Sequence, residues 1–218
     1  MPALFVFDLD GTLVDSSQDL ADAGNAVLEI YGRPALAREQ IVSMVGDGAG
    51  ELVRRLIAAG DIDAPLDEAL ATFLDCYDQR LLATTRTYDG VFTTLEALAP
   101  VTRLAVLTNK PEAATIRLLE GLELRHYFSD VIGGDSPYGR KPDPRGLFAL
   151  LARADVATEN ALMVGDSIND LLVAEAACIP MCLVRYGFGY RQIPDADRLR
   201  AAHTIDAPEE LIELVPLN

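Results

Sequence analysis

The sequence predicts an α/β fold: a doubly wound, mostly parallel sheet of the Rossmann-like kind, with an inserted all-helical domain. Two observations carry this prediction. From residue 90 onward, short apolar runs that stop at polar residues alternate with segments whose apolar residues recur at helical spacing. Between residues 17 and 87, every periodic segment has the helical spacing, and none has the pattern of a strand.

Strands are predicted at short apolar runs, which are typical of parallel strands buried on both faces. The clearest runs are ALFVF (3–7), RLAVLTN (103–109) and ALMVGD (161–166), and the weaker ones are DVIGG (130–134), MCLVR (181–185) and HTID (203–206). Helices are predicted over 111–122, where Pro111 would stand in the first turn, and over 143–154 and 168–177. The segment DAPEELIELV (206–215) predicts a last packing helix.

Four amphipathic segments fill the helical insertion, at residues 17–32, 38–44, 50–60 and 66–85. We therefore expect residues 1–16 and 88–218 to form the α/β core, and residues 17–87 to form a separate helical domain. The chain would bend between the two near residues 15–17 and 87–90.

The composition argues against several classes of partner. The 218 residues include 18 Lys and Arg against 34 Asp and Glu, a formal net charge of −16. Nucleic acids and anionic membrane surfaces are bound through clustered Lys and Arg, so we expect neither as a partner. No apolar stretch approaches the roughly 20 residues of a transmembrane helix, and the N-terminus lacks the features of a signal peptide. The three cysteines suit no disulfide framework, so we expect reduced thiols and a cytoplasmic protein.

Polar clusters follow four of the predicted strands. In FVFDLDGTLVD (5–15), Asp8 and Asp10 come directly after the first strand, and the later clusters are TNK (108–110), GRKPDP (139–144) and GDSIND (165–170). The carboxyl ends of parallel strands meet at one edge of a sheet, where such folds bind ligands. Two carboxylates one residue apart are costly to desolvate unless a cation or a function offsets the cost. Carboxylates, a hydroxyl, an amide and a lysine together suit a divalent metal and a phosphoryl group.

The order of these motifs, D-x-D-G-T-[LV]-x-D, then T-N, K-P and G-D-S-x-x-D, resembles the haloacid dehalogenase superfamily of phosphohydrolases. All four motifs are present, and the resemblance runs from residue 4 to about residue 189. It implies that the helical insertion is a cap domain and that the protein is a phosphatase. It also implies Mg²⁺ as the cofactor and a small-molecule phosphate ester as the partner.

The resemblance further implies a role for each motif residue. Asp8 would attack phosphorus to form an aspartyl phosphate, and Asp10 would act as general acid and then as general base. The metal would be held by Asp8, the backbone carbonyl of Asp10, and Asp166. The residues expected to contact the phosphoryl group are Gly11, Thr108, Asn109 and Lys141. Among them, Lys141 would compensate the charge of the phosphoryl oxygens.

Two Ser-x-x-Asp pairs have the spacing of a helix capping box, Ser16 with Asp19 and Ser167 with Asp170. Asp170 could therefore support the metal site or cap a helix, and both interpretations stay open. Cys178 stands where the resemblance expects a glycine, and it would tighten the turn after the preceding helix.

Within the insertion, VGDGAGELVRRL (45–56) resembles the G-x-G-x-x-x-L-x-x-R cap segment of the phosphoglycolate phosphatase group. Gly48 would let the backbone approach a small substrate, and Arg55 would pair with a substrate carboxylate, with Arg54 as the alternative. The expected substrate is therefore 2-phosphoglycolate.

Other substrates remain as alternatives: pyrophosphate, a sugar phosphate or a secondary-metabolite phosphate. A sugar-phosphate mutase is a further possibility within the same superfamily. A phospho-accepting module without turnover is disfavoured, because it would need neither Asp10 nor a cap. We expect a monomer or a homodimer.

Overall fold

The computed structural model describes residues 2–215 and has a central sheet of six parallel strands. The strands are, in chain order, β1 (Leu4–Phe7), β2 (Val14–Asp15), β3 (Arg86–Thr87), β4 (Arg103–Leu107), β5 (Asp130–Ile132), β6 (Ala161–Gly165), β7 (Met181–Val184) and β8 (His203–Ile205). The central sheet has the order β5-β4-β1-β6-β7-β8, and β2 pairs with β3 in a separate antiparallel ribbon. All six strands predicted for the core are confirmed.

The order in which successive strands are added to the sheet changes direction beside β1. The chain passes from β1 to β4 and β5 on one side, and then returns to place β6, β7 and β8 on the other. The strands β1 and β6 are direct neighbours, with Phe7 opposite Val164. In doubly wound sheets the ligand crevice lies at this switch point, outside the carboxyl ends of the strands.

Residues 2–215 also form nine α-helices. They are α1 (Ser17–Ile30), α2 (Arg38–Val42), α3 (Ala49–Gly60), α4 (Leu66–Asp78), α5 (Val91–Leu98), α6 (Glu112–Gly121), α7 (Arg145–Ala154), α8 (Ile168–Ala176) and α9 (Asp195–Arg198). Side chains alternate along β1, so that Phe5 and Phe7 pack with α5 and α6, whereas Leu4 and Val6 pack with α7 and α8. Within residues 2–215, no helix combines the length and the apolar character needed to cross a bilayer.

The helical insertion is confirmed as four helices, α1 to α4, which lie between β2 and β3. The last of them ends at Asp78 and not near residue 85. The β2–β3 ribbon places the two connections of the insertion side by side, with Val14 opposite Thr87 and Asp15 opposite Arg86. The prediction of no strand up to residue 87 is therefore wrong at Arg86–Thr87, since a two-residue ribbon has no periodicity to detect.

The expected packing helix over residues 206–215 is a 3₁₀ helix, Pro208–Leu214. The carboxylate of Glu210 accepts hydrogen bonds from the backbone N–H groups of Asp206 (2.7 Å) and Ala207 (2.9 Å), which closes the first turn tightly. The predicted helix is therefore present at this position, as a 3₁₀ helix.

The predicted capping box of Ser16 and Asp19 is also wrong. The Ser16 hydroxyl donates instead to the carboxylate of Asp10, at 2.6 Å. Asp19 accepts hydrogen bonds from the backbone N–H groups of Thr84 (3.0 Å) and Thr85 (2.8 Å), and from both of their hydroxyls. Asp19 thus fixes the start of α1 to the segment that returns from the insertion to the core.

Helix α8 ends in a tight turn at Cys178, whose φ is +55°. The N–H of Ile179 donates to the carbonyl of Ala174 (2.9 Å), and the N–H of Cys178 donates to that of Glu175 (3.0 Å). This is the Schellman arrangement, in which glycine is the favoured residue at the left-handed position. Cys178 therefore adopts the glycine-like turn expected from the sequence.

Candidate active site

One cavity lies over the carboxyl ends of β1, β4 and β6 and beneath the helical insertion. It collects most of the predicted site residues: Asp8, Asp10, Gly48, Thr108, Asn109, Lys141 and Asp166. The opposite wall, from α1, α3, α4 and the loop before α3, is mainly apolar. Its residues include Leu20, Val45, Leu52, Phe73 and Leu74. The arrangement places charged groups on the sheet side and hydrocarbon on the insertion side.

Lys141 is the central cation of the sheet side. Its ammonium lies 2.8 Å from Asp8 Oδ1 and 2.6 Å from Asp170 Oδ1, and its side chain is only 2% exposed. Burial alone lowers the pKa of Lys141, but the charges of Asp170 and Asp8 outweigh this effect and raise it. The lysine therefore stays charged and sets the position of the Asp8 carboxylate.

The Lys141 loop is held in place by the side chain of Asn109. The backbone N–H of Lys141 donates to Asn109 Oδ1 (2.7 Å), and Asn109 Nδ2 donates to the carbonyl oxygens of Lys141 (3.0 Å) and Gly46 (2.8 Å). One amide group thus joins the end of β4, the lysine loop and the insertion. Thr108, immediately before it, is buried and faces the same cavity as Asp8.

Three carboxylates converge beside Lys141. Oxygens of Asp8, Asp166 and Asp170 lie within 4.8 Å of one another, and all three residues are buried. Burial raises the pKa of Asp8 to about 6, against the opposing charge of Lys141. Burial, together with the charges of Asp8 and Asp170, raises the pKa of Asp166 well above its usual range. A hard divalent cation would stabilise the ionised forms, so the donor set fits Mg²⁺.

Asp170 has the capping role, one of the two interpretations that the sequence left open. It caps α8, because its Oδ2 accepts from the N–H (2.9 Å) and the hydroxyl (2.6 Å) of Ser167. Its Oδ1 is paired with Lys141. With both oxygens engaged and no exposed side-chain surface, Asp170 supports the cluster from behind and does not line the cavity.

Gly11 does not line the cavity. It adopts a φ of +90°, and its Cα packs so closely against Asp166 that a Cβ would overlap the carboxylate of that residue. Gly11 therefore packs against Asp166 in the turn after β1, where the end of β6 leaves no space for a side chain.

The loop before α3 is docked on the sheet side. Asn169 Nδ2 donates to Asp47 Oδ1 (2.7 Å) and to the Gly46 carbonyl (3.3 Å), which also accepts from Asn109. Gly48 has a φ of +91°, approaches the backbone of Asn109 and lines the cavity.

Neither Arg54 nor Arg55 lines the cavity. Arg55 is bound to the Asp47 carboxylate and to the Met44 carbonyl (2.9 Å), and Arg54 points outward in an ion pair with Glu51. The expected role of Arg55 as the partner of a substrate carboxylate has no support in this geometry. The acidic neighbour at position 47 holds the guanidinium, which instead braces the loop.

Most of this chain matches the sequence model of one protein family. Residues 5–184 match the family model of haloacid dehalogenase-like hydrolases. The chain belongs to this family. It is 40% identical over 197 residues to phosphoglycolate phosphatase 1 of Pseudomonas aeruginosa, with 87% of this chain and 72% of the relative covered. It is 44% identical over 196 residues to the phosphoglycolate phosphatase of Rhodospirillum rubrum, with 86% and 81% covered.

A solved structure agrees with these relatives. A predicted phosphoglycolate phosphatase from Haemophilus somnus 129pt superposes with a TM-score of 0.89 at 29% identity, covering 98% of this chain and 97% of that one. This haloacid dehalogenase-like hydrolase is a phosphatase, as expected from its motifs.

Sequence reasoning missed one ion pair of this hydrolase. The Lys110 ammonium lies 3.0 Å and 3.1 Å from the two carboxylate oxygens of Asp10 and 2.6 Å from the hydroxyl of Tyr77 on α4. The TNK cluster marked Lys110 as a residue near the site, but no local pattern indicates a partner on the insertion. Asp10 is thus held by Lys110 and Ser16, on the side of the cavity nearest to the insertion.

Proposed function

We propose that this phosphatase hydrolyses phosphate monoesters with Mg²⁺ through an aspartyl phosphate on Asp8. One observation carries the proposal: the Asp8 carboxylate faces the cavity with Lys141 at 2.8 Å and Asp166 and Asp170 beside it. A carboxylate that is ionised and held in this way is a competent nucleophile without a separate activating base.

In the first step, an oxygen of Asp8 forms a bond to phosphorus while the bond to the ester oxygen breaks. The leaving oxygen takes a proton from Asp10, which makes the alcohol product. In the second step, a water molecule attacks the same phosphorus and gives its proton back to Asp10. The bond between phosphorus and Asp8 then breaks, and inorganic phosphate leaves. Thr108 and the backbone N–H of Asn109 are proposed to hold the phosphoryl oxygens, with Lys141 compensating their charge.

The carboxylates of Asp8 and Asp166, with the backbone carbonyl of Asp10, would hold the Mg²⁺ ion. The ion would neutralise part of the charge that otherwise repels a phosphate dianion. Asp170 would act by orienting Lys141, since its own oxygens are already engaged.

The proposed substrate is 2-phosphoglycolate. Relatives that bear this activity in their names are 40% and 44% identical. The cavity supports a small ester group, because its volume of about 80 Å³ is far below the ~300–1,000 Å³ typical of pockets for drug-sized ligands. Pyrophosphate, sugar phosphates and other metabolite phosphates are the alternatives that a substrate panel would separate.

We further propose that residues 17–87 are a cap that moves over a core made of residues 1–16 and 88–218. The β2–β3 ribbon supports this division, because both connections run through it, close to the predicted bends at 15–17 and 87–90. Closure would exclude bulk water from the reacting groups. The monomer or homodimer and the cytoplasmic location expected from the sequence remain predictions.

The test is the Asp8→Asn variant, which keeps the shape of the side chain and removes the nucleophile. We expect it to release no phosphate from 2-phosphoglycolate above background, while the wild type turns over with Mg²⁺. Asp63→Asn is the matched control, since Asp63 is an exposed residue of the insertion. Phosphate release by Asp8→Asn near the wild-type rate would refute the covalent mechanism. Mass spectrometry of the quenched wild-type reaction should show the phosphate on the peptide that contains Asp8.

A further inference from the structure

The cavity has few cations with which to bind a charged substrate. Among the described residues that line it, only Lys110 and Lys141 carry a positive charge. Lys141 lies between Asp8 and Asp170 at the phosphoryl end, where it is proposed to compensate the charge of the phosphoryl oxygens. Lys110 is therefore the cation of this lining that is placed away from the phosphoryl end for a second anionic group on the substrate.

Lys110 is placed for such a contact. It stands at the boundary between Asp10, where the leaving oxygen is proposed to sit, and the apolar wall formed by Leu20, Phe73 and Leu74. Its side chain is 4% exposed, so its charge acts in surroundings that screen it little.

The hydrogen-bond capacity of Lys110 also leaves room for a ligand. An ammonium has three N–H donors, and the Asp10 carboxylate lies at nearly equal distances of 3.0 and 3.1 Å, a geometry that one shared donor can satisfy. A second donor is used by the Tyr77 hydroxyl at 2.6 Å. A third remains for a substrate oxygen in the cavity.

We infer that Lys110 recognises a carboxylate on the substrate, next to the leaving oxygen, and so selects short phosphorylated hydroxy acids. The inference rests on the proposed phosphatase function and replaces the assignment of specificity to Arg55. A one-carbon spacing between the ester oxygen and the carboxylate matches the adjacency of Asp10 and Lys110. The Tyr77 hydroxyl, which comes from α4, would fix Lys110 in this position when the insertion lies against the core.

The first experiment compares two substrates with two-carbon ester groups, 2-phosphoglycolate and 2-hydroxyethyl phosphate, which has an uncharged hydroxyl in place of the carboxylate. Lys110→Met removes the charge, Lys110→Arg keeps it, and Arg55→Ala removes a cation that lies outside the cavity. We expect Lys110→Met to lose about 10- to 100-fold more kcat/KM on 2-phosphoglycolate than on 2-hydroxyethyl phosphate, as for one charge-assisted hydrogen bond. Lys110→Arg should keep most of the preference, and Arg55→Ala should change both substrates by the same factor.

The second experiment separates recognition from chemistry. Asp8→Asn, with Mg²⁺ present, should bind 2-phosphoglycolate in a calorimetric titration without hydrolysing it. Adding Lys110→Met should weaken this binding by about tenfold or more. Lys110→Gln serves as a second neutral variant if Lys110→Met does not fold, as judged by circular dichroism.

Three results would overturn the inference. Equal losses on both substrates, with unchanged binding in the Asp8→Asn background, would show that Lys110 acts through Asp10 alone. A wild-type enzyme that hydrolyses both substrates without preference would refute carboxylate selection and leave the phosphatase function intact. Greater selectivity loss in Arg55→Ala than in Lys110→Met would return the contact to Arg55. Absence of phosphate release from every substrate would instead refute the proposed function, and the binding titration would still decide the role of Lys110.

Discussion

The buried carboxylate cluster should make the metal-free protein less stable as the pH rises, and Mg²⁺ should reverse this loss. Burial raises the pKa of Asp8 from 3.8 to about 6 in the folded chain. Below about pH 4 the carboxyl is protonated in both the folded and the unfolded chain, so it contributes no difference. Between about pH 4 and pH 6 the unfolded chain has released this proton while the folded chain still holds it, so the folded state becomes less favourable as the pH rises and the loss levels off above pH 6.

The size of the effect follows from the shift. A change of about two pKa units corresponds to about 3 kcal/mol of unfolding free energy, complete by about pH 7. About 1 kcal/mol of this falls between pH 5 and pH 7, which for a chain of this length is a decrease of about 2–4 °C in Tm. The pKa of Asp166 is raised in the same direction, so its ionisation adds to the decrease.

The assay is thermal unfolding at pH 5, 6 and 7, in EDTA and in excess Mg²⁺. Because the metal binds the ionised carboxylates, the rise in Tm on adding Mg²⁺ should grow from pH 5 to pH 7. Asp8→Asn should have a smaller decrease with pH in EDTA, and Asp63→Asn should behave as the wild type. A metal-free Tm that is flat or rising over this range, relative to Asp8→Asn, would refute the reasoning, as would equal stabilisation by Mg²⁺ at all three pH values.

Three further outcomes are expected. EDTA should abolish phosphate release and added Mg²⁺ should restore it; full activity after exhaustive metal removal would contradict the proposed cofactor. Asp10→Asn should lose more activity on alkyl phosphates than on nitrophenyl phosphate, whose leaving group needs less protonation, and a loss equal on both would argue against Asp10 as the acid. Cys178→Gly should stabilise the fold by about 0.5–1 kcal/mol, because glycine relieves the left-handed strain at some entropic cost; urea unfolding, with Cys178→Ala as the unrelieved control, measures this.

The sheet and its catalytic edge were predictable because their signals are local. An apolar run such as ALMVG in β6 must be buried on both faces, and Asp166 follows it directly, so the strand and the position of the carboxylate come from one stretch. The same holds for Asp8 after β1. The ribbon partner β3 was not predictable, since Arg86–Thr87 pairs over only two residues and is partly exposed.

Contacts between residues far apart in the chain were beyond local reasoning. The Tyr77 hydroxyl meets Lys110 from 33 residues away, and Asp19 meets Thr84 from 65 residues away. Their partners depend on how α1 and α4 lie against the sheet. Periodicity indicates which face of a helix is apolar, but it does not indicate which polar atom at the rim of that face meets which group of the core.

The pairing of Arg55 with Asp47, away from the cavity, has an electrostatic cause that follows from the composition. With 34 acidic residues against 18 basic ones, an arginine near the surface has carboxylates close by in the chain. Arg54 finds Glu51 three positions away, and Arg55 finds Asp47 eight positions away. In such a chain, most cations are paired with carboxylates. A cation can still contact an anionic substrate when its carboxylate partner also faces the cavity. Lys110 meets this condition through Asp10, and Lys141 meets it through Asp8. Specificity for anionic substrates should therefore be sought at the sheet edge before it is sought on the insertion.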